Sequence, residues 1–321
     1  MPRRQRLDFK DAIQYVHLQG SDGKFIFFNP AALPGHGESP RQHPGVRRFE
    51  TLLTSTCEDC AANLLAYCIE PNSAWLVLQI TGAPLAACIR RLSGQYSRRS
   101  GRLKGPPMFA RRYESRVVAP EYLPHAVRRV HCRPVGAGLC RHRVDYPFSS
   151  ERTYLGEPAT LPVDVGPVRN ELRQKGLAGQ RGYREFMDRE ETLYVAKLFT
   201  QGSPEDPRVV GSKSFAQMVQ YLAAHPPPPP TREELIDGVA RILGRAAADL
   251  YMATRIGVLG RSLVAWYGLR LGAASLTEMA HWFSITPATL GQAMHHHRQK
   301  TPELFSNGTL SPTNDPSMTD D

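Results

Sequence analysis

The chain has no apolar run long enough to cross a membrane. Its longest uncharged stretch, Pro71 to Ile89, is interrupted by Pro71, Asn72, Gln79, Thr81, Gly82 and Pro84. A lipid-exposed helix would have to satisfy or tolerate each of those breaks. The first segment, MPRRQRLDF, leads into no apolar stretch of the kind a secretory signal needs. Six cysteines, at 57, 60, 68, 88, 132 and 140, form no spaced framework, which argues against a disulfide-stapled fold and for reduced thiols. These absences predict a cytoplasmic protein with no membrane partner. Cys57 and Cys60 have CxxC spacing but no second pair at zinc-site distance, so no structural zinc is expected. A glycine-rich loop followed by Lys-Ser or Lys-Thr is also missing, which removes the usual cradle for ATP phosphates.

What is abundant is positive charge in one place. Lys and Arg number 40 against 30 Asp and Glu, a formal +10. Between Arg90 and Arg143 stand fourteen Lys or Arg and two acids, Glu114 and Glu121. That stretch alone carries +12, so the remainder of the chain nets about −2. A concentrated cationic segment with Tyr96, Phe109 and Tyr113 interleaved predicts a nucleic-acid partner, the bland alternative being a run of solvated arginines.

Short β-forming runs at Gln14–Leu18, Lys24–Phe28, Leu64–Ile69, Trp75–Ile80 and Arg116–Ala119 predict strands. Helical spacing is found over Arg47–Thr56 and over Leu85–Arg98, where Leu85, Cys88, Ile89 and Leu92 share one face. Glu121–His131 reads as a helix disturbed by Pro124 and stopped near Arg133-Pro134. Strands and helices mix without a βαβ rhythm, so the fold class is α+β. From Pro167 to Ala224 the pattern turns helical, and the prolines from Pro226 to Pro230 predict a stiff spacer. Thr231 then caps an all-helical region that runs to about Lys300. The polar residues from 305 to 321 are expected to be disordered.

Within the last helical region, SLTEMAHWF places Leu276, Met279, Ala280 and Phe283 on one stripe. A three-residue break, Ser284 to Thr286, then precedes PATLGQAMHHHR. Thr286 can cap the second helix and Pro287 suits its first position. Two short helices around such a break are the pattern of a helix-turn-helix, and also of a plain helical hairpin. His295, His296 and His297 point about 100° apart on a helix and cannot close on one metal ion.

Glu234 to Arg298, with LIDGVARILG and ADLYMATRIGVLGRSLVAWYGLRLGAASLTEMAHWF, resembles the C-terminal DNA-binding domain of the DnaA replication initiator. The initiator's target-reading signature is replaced here by Ile285-Thr-Pro-Ala-Thr-Leu290, so the resemblance implies fold and duplex binding but not target sequence. It makes Thr286, Thr289, Gln292 and His296 candidates for bases, with Arg255, Arg261 and Arg298 for phosphates.

The first half resembles the REP-associated tyrosine transposases, which act on single-stranded DNA. The segments LDFKDAIQYVHLQG, AYCIEPNSAWLVLQ, IRRLSGQYSRRSGRLKGPPMFARRYESRVV, YLPHAVRRVHCRPVGAGLC and DYPFSSERTYLG match collinearly over about residues 5 to 156. The resemblance implies a ferredoxin-like antiparallel sheet over residues 1–160 and a helical extension over 161–224. A linker would follow at 225–230, then a helix-turn-helix domain over 231–304. In that family two histidines on one strand bind a divalent metal and a helix tyrosine attacks the phosphate. Here those positions are Ser73, Trp75 and Arg129, none of which can do that chemistry.

The resemblance thus implies a DNA-binding relative whose catalytic residues are gone, with no cofactor unless the family's divalent metal survives. Two alternatives stay open: an active transposase using Tyr122 as a displaced nucleophile, and a binder of RNA hairpins. Trp75 either stacks on a base or simply fills the vacated pocket. Hairpin or single-stranded DNA would meet Arg98, Arg99, Arg102, Lys104, Arg111, Arg112, Arg116, Arg128 and Arg129, with Arg133 beside them. A nucleoid-associated location follows from the same implication. The sequence leaves the oligomeric state open.

Overall fold

The computed structural model describes residues 6–30, 43–100, 107–158, 160–226 and 228–305. Arg102 and Lys104 lie outside the described residues, as do residues 306–321. The chain divides into two compact units, Met1–Pro226 and Pro227–Asp321.

The first unit begins with β1 (Ala12–Gln19), α1 (Pro44–Cys60), β2 (Ala62–Ile69), β3 (Ser73–Ile80), α2 (Leu85–Arg99) and β4 (Glu114–Val118). The strands lie in the order β2-β3-β1-β4 and every neighbour among them is antiparallel. This is the α+β, ferredoxin-like sheet expected from the sequence. A short β5 (Val209–Val210) adds to β4 in parallel.

The central strand is covered on both sides. Ala74, Leu76, Leu78 and Ile80 of β3 are buried on one face, and Ser73 and Val77 on the other, with Trp75 half-buried beside them. Such a strand reads in sequence as a near-continuous apolar run.

Between the sheet and the unit boundary come α3 (Leu123–Gly136), α4 (Glu151–Tyr154), α5 (Gly166–Gln174), α6 (Gly179–Asp188), α7 (Leu193–Gln201) and α8 (Lys213–Ala224). The last four belong to the same compact unit as the sheet. Leu172, Tyr183, Phe186, Leu198 and Phe199 share one buried cluster with Leu65, Val77 and Val130.

Three expectations are corrected. Lys24–Phe28 forms no strand: the N–H groups of Ile26 and Phe27 both donate to the Pro71 carbonyl, at 3.0 and 3.1 Å, while the side chains of Ile26, Phe27 and Phe28 enter the core. α3 does not stop before Arg133-Pro134 but runs through Pro134 to Gly136. The proline falls in the last turn, so it removes the single bond its N–H would give the Val130 carbonyl, and the helix ends two residues later. Pro124 does not disturb this helix either, because it sits in the first turn, where no N–H is needed.

The second unit is helical: α9 (Arg232–Leu243), a 3-10 turn at Ala247–Tyr251, α10 (Arg255–Arg270), α11 (Leu276–Trp282), α12 (Pro287–Lys300) and a 3-10 turn at Pro302–Phe305. Thr231 and Glu234 form a capping box on α9, and Ser275 and Glu278 form another on α11. Gly268 lets α10 approach α11, since a Cβ there would lie 2.3 Å from the Met279 sulfur. Phe305, expected in the disordered tail, is instead buried in the core of this unit.

Candidate nucleic-acid interface

In the first unit, the C-terminal end of β1 meets the chain that leads into β4. The Ala110 N–H donates to the Gln19 carbonyl and the Ser21 N–H to the Met108 carbonyl, both at 2.8 Å. Gly20 is required at this crossing, because a Cβ would lie 2.6 Å from the Lys24 carbonyl oxygen. α2 runs alongside, and Leu18, Phe109, Arg111, Arg112 and Tyr113 form a groove of about 240 Å³ with its Ile89 and Arg90.

Arg90, Arg111 and Arg112 are exposed along this groove and Arg98 and Arg99 in the last turn of α2, and no carboxylate among the described residues pairs with any of the five. The neighbouring Arg91 is bound to Asp59. Arg6 lies over the Tyr113 ring, its guanidinium carbon 3.4 Å from the centroid. The Tyr113 hydroxyl is buried and has no hydrogen-bond partner.

The other face of the sheet carries the positions where the resemblance implies lost catalysis. All of them are engaged internally. Glu70, buried in the β2–β3 turn, accepts from Ser73 Oγ at 2.5 Å, Trp75 Nε1 at 3.0 Å and Arg133 Nε at 3.1 Å. His17, the cross-strand partner of Trp75, stacks on it at 3.8 Å with the planes 8° apart. The Arg133 guanidinium carbon lies 4.4 Å from the same ring. Burial lowers the His17 pKa, opposed by the Glu114 carboxylate 4.0 Å away.

This donor set does not fit the divalent metal of the resembled family. The serine hydroxyl and the indole N–H both give their hydrogens to one carboxylate, and the indole has no lone pair for a metal. Among the described residues, no three His, Cys, Asp or Glu side chains gather as a metal site.

The arginines of α3 and β4 are also occupied. Arg129 donates to both carboxylate oxygens of Glu191 and packs over Phe199 at 4.8 Å. Arg128 donates to the Arg189 carbonyl, and Arg116 to the carbonyls of Thr200 and Pro207. Arg143 spans Glu151 and Asp188. Arg116, Arg128 and Arg129 are therefore corrected from open phosphate ligands to partners of the chain's own later segment.

Tyr122 is not on the face of α3 but is its N-cap residue. Its hydroxyl is pushed up to about 12 by partial burial and a hydrogen bond with Tyr194. Deeper in the unit, His131 contacts Tyr183 and Ser150, each at 2.7 Å, and burial pulls its pKa down to about 3. This Ser–His pair is fully enclosed and ties α3, α6 and the segment before α4 together.

In the second unit the candidates separate. Gln292, His296, Thr289 and Arg255 are exposed. Thr286 is occupied as the cap of α12, accepting from the Thr289 N–H. Arg298 is half-buried and has an interaction partner. Arg261 is corrected: it is 9% exposed, and its Nη1 donates to the carbonyls of Leu250 and Met252, both at 2.9 Å. It clamps the 3-10 turn to α10. α11 and α12 meet through Met279, Ala280 and Leu290. The turn between them holds Ser284 at φ +53°.

Sequence reasoning missed Glu70, Arg90 and Glu191. Glu70 left a trace, being the one charged residue between Ala62 and Ile80. Glu191 left none, since its partner lies 62 positions away.

A scan against protein-family models finds no match. A search of curated proteins likewise finds none. Among solved structures, the chain is similar to a REP-associated tyrosine transposase bound to a REP hairpin, at 14% identity and a TM-score of 0.40. The alignment covers 51% of this chain and 93% of that one. Among the described residues, no helix is long and apolar enough to cross a membrane.

Proposed function

We propose that this chain is a nucleic-acid-binding protein that grips a DNA hairpin or single strand along the α2 groove and carries no strand-transfer activity. The observation that carries the proposal is the row Arg90, Arg98, Arg99, Arg111 and Arg112. These side chains are exposed, whereas Arg91, Arg116, Arg128, Arg129, Arg133 and Arg143 of the same sequence stretch are bound internally. Side chains left solvated at this density favour a polyanion by releasing its counterions. Arg6, exposed and lying over the Tyr113 ring beside them, adds a further cation to that surface.

The absence of strand transfer is argued from chemistry. Ser73, Trp75 and Arg133 satisfy Glu70, Arg129 is paired with Glu191, and Tyr122 keeps its proton at neutral pH. The second unit supports duplex binding: the short α11–α12 pair resembles a helix-turn-helix and presents Thr289, Gln292 and His296 to solvent.

The test is hairpin-DNA affinity by fluorescence anisotropy across salt. Five phosphate contacts to a single strand give a log–log slope on the order of −3. Reversing Arg98, Arg99, Arg111 and Arg112 to Glu should abolish measurable binding, and an unchanged affinity would refute the proposal. An RNA hairpin of the same shape is the comparison ligand.

A further inference from the structure

We infer that the segment Asp188–Thr192 is an acidic strap that occupies a second phosphate-binding surface, formed by Arg128 and Arg129, in place of a nucleic-acid strand. The inference rests on the nucleic-acid-binding reading above and concerns the opposite face of the sheet.

Between Asp188 and Thr192 the chain carries three acids and one base, in a protein whose net charge is positive. The strap is laid along α3 by polar contacts. Arg129 holds Glu191 through two hydrogen bonds, Arg128 holds the Arg189 carbonyl, and Arg143 holds Asp188. A two-oxygen carboxylate gripped by a guanidinium fork has the same donor–acceptor pattern as a phosphodiester in that fork. Arg116, the cross-strand neighbour of Tyr15, meets backbone carbonyls of Thr200 and Pro207.

α7 is anchored, since Val195, Leu198 and Phe199 enter the core and Phe199 lies edge-on to Tyr15, while Leu193 and Tyr194 are 82% and 59% exposed. The segment ahead of it, Asp188–Thr192, is held by ion pairs and a carbonyl bond, contacts that weaken with salt and yield to a stronger polyanion. Lifting that segment would free Arg128 and Arg129 while α7 and the sheet stay in place; Arg116 keeps its bond to the Pro207 carbonyl.

The test compares the full chain with Glu191→Gln, measuring anisotropy of a labelled hairpin and of an unstructured single strand. Glu190→Gln is the control: it makes the same charge change one residue away, at an exposed carboxylate that no arginine among the described residues bonds. Tighter binding by Glu191→Gln, about fivefold, with no such gain in Glu190→Gln supports the strap. Binding by Glu191→Gln alone, where the wild type does not bind, supports it too. If the wild type binds and Glu191→Gln binds no more tightly than the control, the strap is overturned while the groove proposal stands. If no variant binds either probe, both fall.

Hydrogen exchange on the wild type guards against a folding defect in the variant. Bound DNA should speed exchange of amides 189–192, and unchanged or slowed exchange there overturns the strap.

Discussion

The Trp75 indole N–H donates to Glu70 Oε2 at 3.0 Å, and the Arg133 guanidinium leans on that indole while bonding the same carboxylate. A buried acid with three donors is a keystone. Removing it strands every donor at once.

Glu70→Ala should therefore destabilise the first unit by about 3 kcal/mol, because Ser73, Trp75 and Arg133 all lose their acceptor. Glu70→Gln should cost less, since one amide oxygen still accepts. Urea denaturation followed by tryptophan fluorescence reads both values. Equal stability of the alanine variant and the wild type would contradict the keystone role.

Tyr122→Phe should leave hairpin affinity unchanged. With the hydroxyl at about 12, roughly one molecule in ten thousand carries the phenolate at pH 8. Wild-type protein incubated with single-stranded DNA and Mg²⁺ or Mn²⁺ should show no covalent adduct on a denaturing gel. An adduct lost in Tyr122→Phe would restore the tyrosine-nucleophile alternative.

Glu50 sets a pH dependence. Burial lifts its carboxyl to about 7, opposed by a hydrogen bond from Tyr67. The folded chain holds that proton more tightly than the unfolded chain, so its contribution is full below about pH 4.5 and is lost as pH rises to about 7. Glu50→Gln cannot ionise, so its stability relative to wild type should climb across that window, by at most about 3 kcal/mol. His131 works in the opposite direction: held to about 3, it stays neutral when folded, and its contribution is lost as pH falls below about 6.5. Thermal melts of both proteins from pH 4.5 to 7.5 separate the two effects.

Arg255 and Arg261 should behave oppositely. Arg261→Ala leaves the Leu250 and Met252 carbonyls without their donor and should cost about 2 kcal/mol, lowering the melting temperature of the second unit. Arg255→Ala, at an exposed position, should leave melting unchanged and weaken duplex binding with a shallower salt slope.

The turn between α11 and α12 offers a paired test. Ser284→Gly should stabilise by up to about 1 kcal/mol by relieving a positive φ. Thr286→Ala should cost about 1 kcal/mol by uncapping α12, even without DNA present. A Thr286→Ala variant as stable as wild type, but weaker on DNA, would make Thr286 a base contact after all.

The sheet was legible because its signal is local. The apolar, β-forming runs Leu64–Ile69 and Trp75–Ile80, joined by the turn residues Pro71-Asn-Ser73, and the apolar stripe of Leu85–Leu92 can each be read from neighbouring residues alone. Lys24–Phe28 misled because its apolar residues reach the core from a loop, and composition does not distinguish that from a strand. Pro124 and Pro134 misled because a proline's effect depends on which turn of the helix receives it. The arginines were the hardest. Charge counting found the cationic stretch, yet it could not separate Arg98 and Arg111, which stay solvated, from Arg129, whose partner lies far along the chain. Only folding sorts equal charges into free and spent ones.

Both rims of the sheet are closed by chain that comes after residue 146. β4 is paired by Val209–Val210, and β2 is bridged by Ser149 and Val163. Residues 149–210 thus act as a hem that binds the sheet's raw edges. A chain cut after residue 156 would keep β1 to β4 yet expose the β4 edge to other strands. Such a fragment should self-associate by light scattering, whereas the intact chain stays dispersed.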